Sequence, residues 1–262
     1  MLTTKKPNKE SIPICKIIDK SDDKFEQLVY VNYDFDDCSN KSDDENDKMK
    51  LTDKNKYFVS LPYVVPNQMI SLTITGKNGS GKSYYCASYL KLLRETKQYK
   101  KSEIYLFTNK HDDDPAYEKI KDMYKIDINN PNLFDLTYDE FADKIVVFDD
   151  IERIPDDLIK NFIFKMLNTL LELARSQKTV IITIVHELNN NNQTKTLKNE
   201  SSDIILFPFL SPKAFMKYCQ NELRMSDKEI KALRKNLKPT RSCHVRQSIP
   251  SFILSDKFIM LI

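Results

Sequence analysis

A chain of 262 residues suffices for the core of one α/β domain, or for that domain with a small extension. Its 40% hydrophobic and 30% charged content is ordinary for a folded globular protein, and a net charge of +3 excludes a polycation. Five cysteines without a close pair exclude a Cys-rich zinc site and a disulfide framework and suit a reducing compartment. No signal peptide is legible, and Val180–Val185, the longest apolar run, is too short to span a bilayer.

Residues 1–12 are polar and read as loose, whereas Ile14–Ile18 and Gln27–Tyr33 read as short strands, a hairpin or an edge addition to a sheet. Residues 34–56, with the acidic run 34–47, hold too little apolar surface to offset the entropy of ordering and are expected to be a flexible loop. The first domain boundary is therefore set at 1–56, an amino-terminal extension, and 57–262, a single folded domain. From Tyr57 onward strand-like runs alternate with helical patterns, the signature of a parallel sheet built from βαβ units.

Met69–Thr75 is an apolar, β-branched strand. The helix after it sets Cys86, Tyr89, Leu90 and Leu93 on one face. Ile104–Thr108 is a second strand, followed by an acidic turn, His111–Pro115. Ile145–Phe148 is a third, ending at Asp149. The helix from Asp156 to Ala174 repeats Ile159, Phe162, Ile163, Met166, Leu167, Leu170, Leu171 and Ala174 at i, i+3, i+4 spacing, with Pro155 just ahead. Thr179–Val185 and Ile204–Phe209 are the fourth and fifth strands, and Asn189–Ser202 between them is expected to be a mobile loop. Residues 213–246 are basic and helical, a solvated face or a polyanion contact. Cys243–Gln247, Phe252–Leu254 and Phe258–Leu261 are short closing strands.

Gly76-Lys77-Asn78-Gly79-Ser80-Gly81-Lys82-Ser83 matches G-x-x-x-x-G-K-[ST] in full, after a strand and before an amphipathic helix. Glycine lets successive N–H groups turn toward phosphate, and the helix dipole adds its positive end there. Lys82 is expected to reach the terminal phosphates and the Ser83 hydroxyl to ligate Mg²⁺. The chain has three glycines, and all lie in this loop.

Lys144–Asp150 has the form of a buried strand ending in acids at the carboxyl edge of a sheet. Asp149 is expected on the metal side. Asp150 is expected to orient or deprotonate the attacking water, with Glu152 as the competing acid, because Glu is the more usual second acid in such sites. His186, directly after the fourth strand, is a γ-phosphate sensor or a surface histidine. Arg175 ends the long helix, where it suits the dipole or enters a neighbouring subunit's site as an arginine finger, a role for which Arg241 competes.

The phosphate loop, the Phe148-Asp149-Asp150 strand end, the long helix ending near Arg175, His186, the Thr194–Glu200 segment and Asp203–Pro208 together resemble the genome-packaging ATPases of nucleocytoplasmic large DNA viruses, within the FtsK–HerA superfamily. Thr240-Arg241-Ser242 and Ile249–Phe252 resemble that family's closing segment. The resemblance spans roughly residues 60–262. It implies an α/β fold of the P-loop NTPase class (RecA-like, additional-strand type): a mostly parallel central sheet flanked by helices, with short antiparallel strands at the termini. It further implies ATP and Mg²⁺ as cofactors, a homo-oligomeric ring (a hexamer), double-stranded DNA as partner with capsid or portal components, no membrane, and a place in host cytoplasm or virion. DNA would approach the Asn189–Ser202 loop or the basic 213–246 stretch. Two other readings stand beside it: another P-loop ATPase, a helicase-like motor or nucleotide-handling enzyme, and a virion assembly or scaffold protein that keeps nucleotide binding.

Overall fold

A computed structural model describes residues 1–8, 11–32, 47–62, 70–110, 114–188, 192–238 and 240–262. In chain order it begins with β1 (Leu2–Thr3), β2 (Cys15–Asp19), β3 (Asp22–Val31), β4 (Lys48–Lys50), β5 (Lys56–Ser60) and β6 (Ser71–Thr75). There follow α1 (Lys82–Glu95), β7 (Ile104–Thr108), β8 (Met123–Ile126), β9 (Ile145–Asp149), α2 (Asp157–Gln177) and β10 (Val180–Val185). The chain closes with α3 (Asn192–Glu200), β11 (Asp203–Leu206), α4 (Pro212–Asn221), α5 (Asp227–Asn236), β12 (Cys243–Arg246), β13 (Phe252–Leu254) and β14 (Phe258–Leu261). These elements fall into two compact units, residues 64–205 and residues 1–63 with 206–262.

In the unit of residues 64–205, strands run side by side in the order β11-β6-β10-β9-β7-β8, and every neighbouring pair is parallel. Such strands are covered on both faces, so they should read as unbroken apolar runs. β6, β9 and β10 are buried at every position, and α1, α2 and α3 pack against the sheet. Placement of β10 between β6 and β9 is the additional-strand arrangement expected from the sequence.

The α2 helix has identifiable start and stop signals. Asp156 caps it, its side chain accepting from the Leu158 and Ile159 amides at 2.8 and 3.0 Å. Ile163, Phe164, Met166, Leu167, Leu170, Leu171 and Ala174 are buried, each large side chain contributing about 1.5–3 kcal/mol. Ile159 and Phe162, expected on that face, are only half-buried. Lys178 ends the helix in the left-handed conformation, its N–H bonded to the Ala174 carbonyl.

The other unit holds two antiparallel arrays, β1-β3-β2-β5 and β4-β14-β13-β12. Leu2, Ile14, Cys15, Ile17, Val29, Phe58, Phe252, Leu254 and Ile259 form one buried cluster. The segment expected as an amino-terminal extension thus shares a core with the last strands of the chain.

Several expectations need correction. Asn189–Ser202 is not a loop throughout: residues 192–200 form α3, which packs on α2 and β6 and is followed by a Ser201 N–H bond to the buried Leu197. Tertiary packing here overrides a polar, Asn-rich composition; residues 189–191 lie outside the described residues. Residues 1–12 are not all loose, since Leu2 is buried and β1 pairs with β3. Of the loop expected at 34–56, residues 47–56 contain β4 and the start of β5, and residues 34–46 lie outside the described residues. Of the two expectations for β2 and β3 the hairpin holds: they pair antiparallel in a sheet of their own, not at an edge of the parallel one. Within the basic stretch Arg246 is buried, whereas Lys213, Lys217, Lys228, Lys231, Lys235 and Lys238 are exposed. The cysteines among the described residues, Cys15, Cys86, Cys219 and Cys243, are buried free thiols. No helix among those residues is long and apolar enough to cross a membrane.

Candidate nucleotide site

Register decides which side chains can meet. Thr75 of β6 pairs with Val185 of β10, Ile184 with Asp149 of β9, and Asp149 with Thr108 of β7. Four strands therefore end at one level, and the residues just past each end, Gly76, His186, Asp150 and Lys110, gather at the carboxyl edge of the sheet.

The loop from Gly76 to Ser83 leaves β6 there. Gly76 N–H bonds the Val185 carbonyl at 3.3 Å and Ser80 N–H the Lys77 carbonyl at 3.2 Å. Gly79 and Gly81 have φ of 72° and 97°. Positive φ alone does not demand glycine in this chain, because Asp122, Asp143, Asp150, Lys178 and Arg224 take it too, at a cost of about 1–2 kcal/mol each. What distinguishes Gly79 is open space: an added Cβ would meet nothing within 4 Å. Gly81 is the N-cap of α1 and offers no side-chain acceptor, and no acid occupies the first turn. The first turn of this 14-residue helix thus has no side-chain cap and no acid to repel an anion.

Lys82 is buried and donates to the Gly76 carbonyl at 2.8 Å. Its ammonium lies 3.5 Å from His186 Nδ1. Burial lowers the Lys82 pKa despite opposing attraction from Asp150, Asp149 and Glu152. Lys82 and Asp149 are close enough for the Asp149 charge to act on the Lys82 ammonium.

Asp149 and Asp150 diverge. Asp149 is 1% exposed, and its Oδ2 takes Lys110 Nζ at 2.9 Å and the Tyr117 hydroxyl at 3.4 Å. Its Oδ1 is buried with no hydrogen bond. Burial raises the Asp149 pKa, with Lys110 pulling the other way. Asp150 turns in the left-handed conformation (φ 57°), its N–H held by the Ile184 carbonyl at 3.2 Å, with its Oδ2 3.7 Å from Lys110 Nζ. Its Oδ1 lies 2.8 Å from His186 Nε2. That contact favours the charged ring, against the larger effect of burial. Burial, and then Lys82, lower the His186 pKa, which keeps the imidazole neutral at pH 7. Glu152 accepts the His186 backbone N–H at 2.8 Å and leaves its buried Oε2 without a partner. Burial raises its pKa.

Asp114 receives Lys110 Nζ at 3.1 Å and the Ala116 amide at 3.0 Å, and Ser83 is close enough to help lower its pKa. Burial would raise the Asp114 pKa, but these donors lower it overall. The donor set fits a hydrated Mg²⁺: a hydroxyl at the start of α1, a buried carboxylate with a bare oxygen, and hard oxygen ligands throughout.

Lys110 was not among the residues picked from sequence. Its burial would lower its pKa, yet the Asp149 charge and hydrogen bond outweigh that and raise it. A cation two residues past a strand signals nothing until the strand is known to lie beside β9. Arg175 does not join the site. It is exposed at the far end of α2, and Gln177 in the same turn bonds the Asp143 N–H just before β9 begins. That is about 16 Å from the strand's other end. Arg241 is exposed in the other unit.

Fold and site together define a P-loop NTPase of the additional-strand type. No protein-family model matches the chain. It is 26% identical to the uncharacterized protein V3 of Sputnik virophage over 246 residues, 88% of each chain. Among solved structures it is similar to the pCW3 conjugation coupling protein TcpA with ATPgS, at a TM-score of 0.51 and 16% identity over 92% of this chain and 76% of that one. A looser likeness, at a TM-score of 0.45 and 13% identity, is to the genome packaging NTPase B204 from Sulfolobus turreted icosahedral virus 2 in complex with ATP-gammaS, over 72% of this chain and 97% of that one. At this identity the likeness to TcpA shows a shared fold.

Proposed function

We propose that this chain is an ATP-hydrolysing motor that translocates double-stranded DNA into viral capsids as a ring-shaped oligomer. The observation that carries the reading is the convergence of Lys82, Asp149, Asp150 and His186 past the ends of β6, β9 and β10. In this reading the Gly76–Ser83 amides and Lys82 hold the β- and γ-phosphates, and Ser83 and Asp149 hold Mg²⁺, which neutralises charge on the phosphates. Asp150 accepts a proton from, or aligns, the attacking water. His186, neutral and between Asp150 and Lys82, registers the γ-phosphate. Arg175 acts in a neighbouring subunit's site, because its place at the far end of α2 leaves no role in its own.

The DNA half of the reading is supported by the fold shared with a conjugation coupling protein and by the likeness to a virophage protein along most of both chains. Exposed lysines on α4 and α5 supply cations for phosphate contacts. The test is ATPase activity with and without duplex DNA across a salt series, on material sized by light scattering. DNA-stimulated turnover that fades with salt in an oligomer supports the motor. A monomer indifferent to DNA leaves a generic ATPase, and binding without turnover leaves an assembly protein that keeps its nucleotide.

A further inference from the structure

We propose that Lys110 is the resident cation of the metal site, so that Lys110 and a divalent metal compete for the same carboxylates. The inference rests on the nucleotide-site reading above and extends it to metal entry.

Lys110 Nζ lies 2.9 Å from Asp149 Oδ2, 3.1 Å from Asp114 Oδ2 and 3.7 Å from Asp150 Oδ2. Asp114, which it also pairs with, feels the nearby Ser83 hydroxyl as well. The ammonium thus sits amid the groups that would hold Mg²⁺. The geometry also explains how so buried an acid as Asp149 is tolerated: an uncompensated charge there is strongly destabilising, and Lys110 compensates it. A divalent ion supplies the same compensation. It cannot do so beside an ammonium at hydrogen-bond distance from the same carboxylate, because like charges in a half-buried site repel strongly.

A displaced lysine needs somewhere to go, and this one has it. The Lys110 side chain is 34% exposed and borders two cavities of about 360 Å³ each. One is lined by Asp149, Asp114 and Tyr117. The other is lined by Asp127 and Asp156, which offer carboxylate oxygens away from the metal ligands. A four-carbon stem lets the ammonium swing between them without backbone movement. Metal entry then costs the release of the Lys110 ion pairs, and metal loss lets Lys110 close the site again.

The experiment titrates Mn²⁺ into the full chain, alone and with saturating ATPγS, and reads free Mn²⁺ by electron paramagnetic resonance. Lys110→Met, and Lys110→Gln (which keeps a hydrogen-bond donor without the charge), should each bind Mn²⁺ about tenfold tighter than wild type, while Lys110→Arg stays near it. In EDTA the Met and Gln variants should melt lower than wild type, and Mn²⁺ should raise their melting temperatures by more. Unchanged or weaker Mn²⁺ binding in both charge-removing variants overturns the proposal. If wild type fails to bind ATPγS, the nucleotide reading falls instead, and the arm with Mn²⁺ alone still decides Lys110.

Discussion

Asp150 and His186 meet at 2.8 Å, carboxylate Oδ1 to imidazole Nε2, while the other ring nitrogen faces the Lys82 ammonium at 3.5 Å. A candidate phosphate-binding cation and a candidate catalytic acid therefore flank one imidazole ring. Asp150→Asn keeps the shape of this link and removes the charge. We expect turnover to fall about a hundredfold or more, with ATPγS affinity within about threefold of wild type. Equal loss of binding and turnover would move Asp150 into the metal's own shell.

Glu152 separates the two candidate acids. One of its oxygens holds the His186 amide, so its first task is to fix the strand end. Glu152→Gln retains an acceptor for that amide and should keep more than about a third of wild-type turnover. Single-turnover hydrolysis of Asp150→Asn beside Glu152→Gln measures the difference directly; the reverse order of activities reassigns the acid.

Lys82 is held at a cost. Its net pKa is lowered by burial, which means that the charged form is less favoured in the folded, nucleotide-free protein than in the unfolded chain. Lys82→Met should accordingly melt at or above the wild-type temperature without nucleotide. It should lose the rise in melting temperature that ATPγS gives wild type, and nearly all turnover. Thermal melts with and without ATPγS check both halves; a variant that melts lower yet still responds to nucleotide contradicts them.

Much of this site was legible before the fold was known. The glycine loop declared itself by spacing, Ile145–Phe148 by an unbroken apolar run, and Thr179–Val185 by an unbroken β-branched one, as buried parallel strands require. Chain order could not say which strands are neighbours. Without that, Lys110 was an ordinary surface lysine, and its pairing with Asp149 became visible only when β7 was seen beside β9. β8 escaped notice because Met123–Ile126 is short, with Tyr124 and Lys125 exposed and no clear alternation. α3 escaped because its residues are polar and its stability comes from where Leu197 is buried.

His186 also makes a pH prediction. Its pKa lies below the ordinary 6.5 because burial and Lys82 disfavour the charged ring. As pH falls through 6.5 the unfolded chain takes up a proton first, so folding stability declines from that point down to the folded-state pKa. His186→Asn removes this contribution. Its melting temperature should fall less than that of wild type as the pH is lowered below 6.5, and parallel curves for the two proteins in nucleotide-free melts would show that the ring is not buried against Lys82.

Arg175 can be tested by mixing. If it serves a neighbour's site, Arg175→Ala and Lys82→Ala are each inactive for different reasons, one lacking the finger it lends and the other the phosphate grip of its own site. Arginine fingers supplied across an interface contribute about 10³–10⁵ in rate, so each variant alone should be nearly silent. Mixed oligomers, however, contain interfaces at which a subunit with intact Lys82 meets a subunit with intact Arg175. Those interfaces should restore a measurable fraction of turnover, rising with the proportion of mixed neighbours. The position of Arg175 at the exposed end of α2, beside the start of β9 and away from Lys82, makes action within one subunit geometrically unworkable. Wild-type turnover in Arg175→Ala alone would reduce the residue to a cation that stabilises the end of its helix, and no recovery from the mixture would direct the search to Arg241.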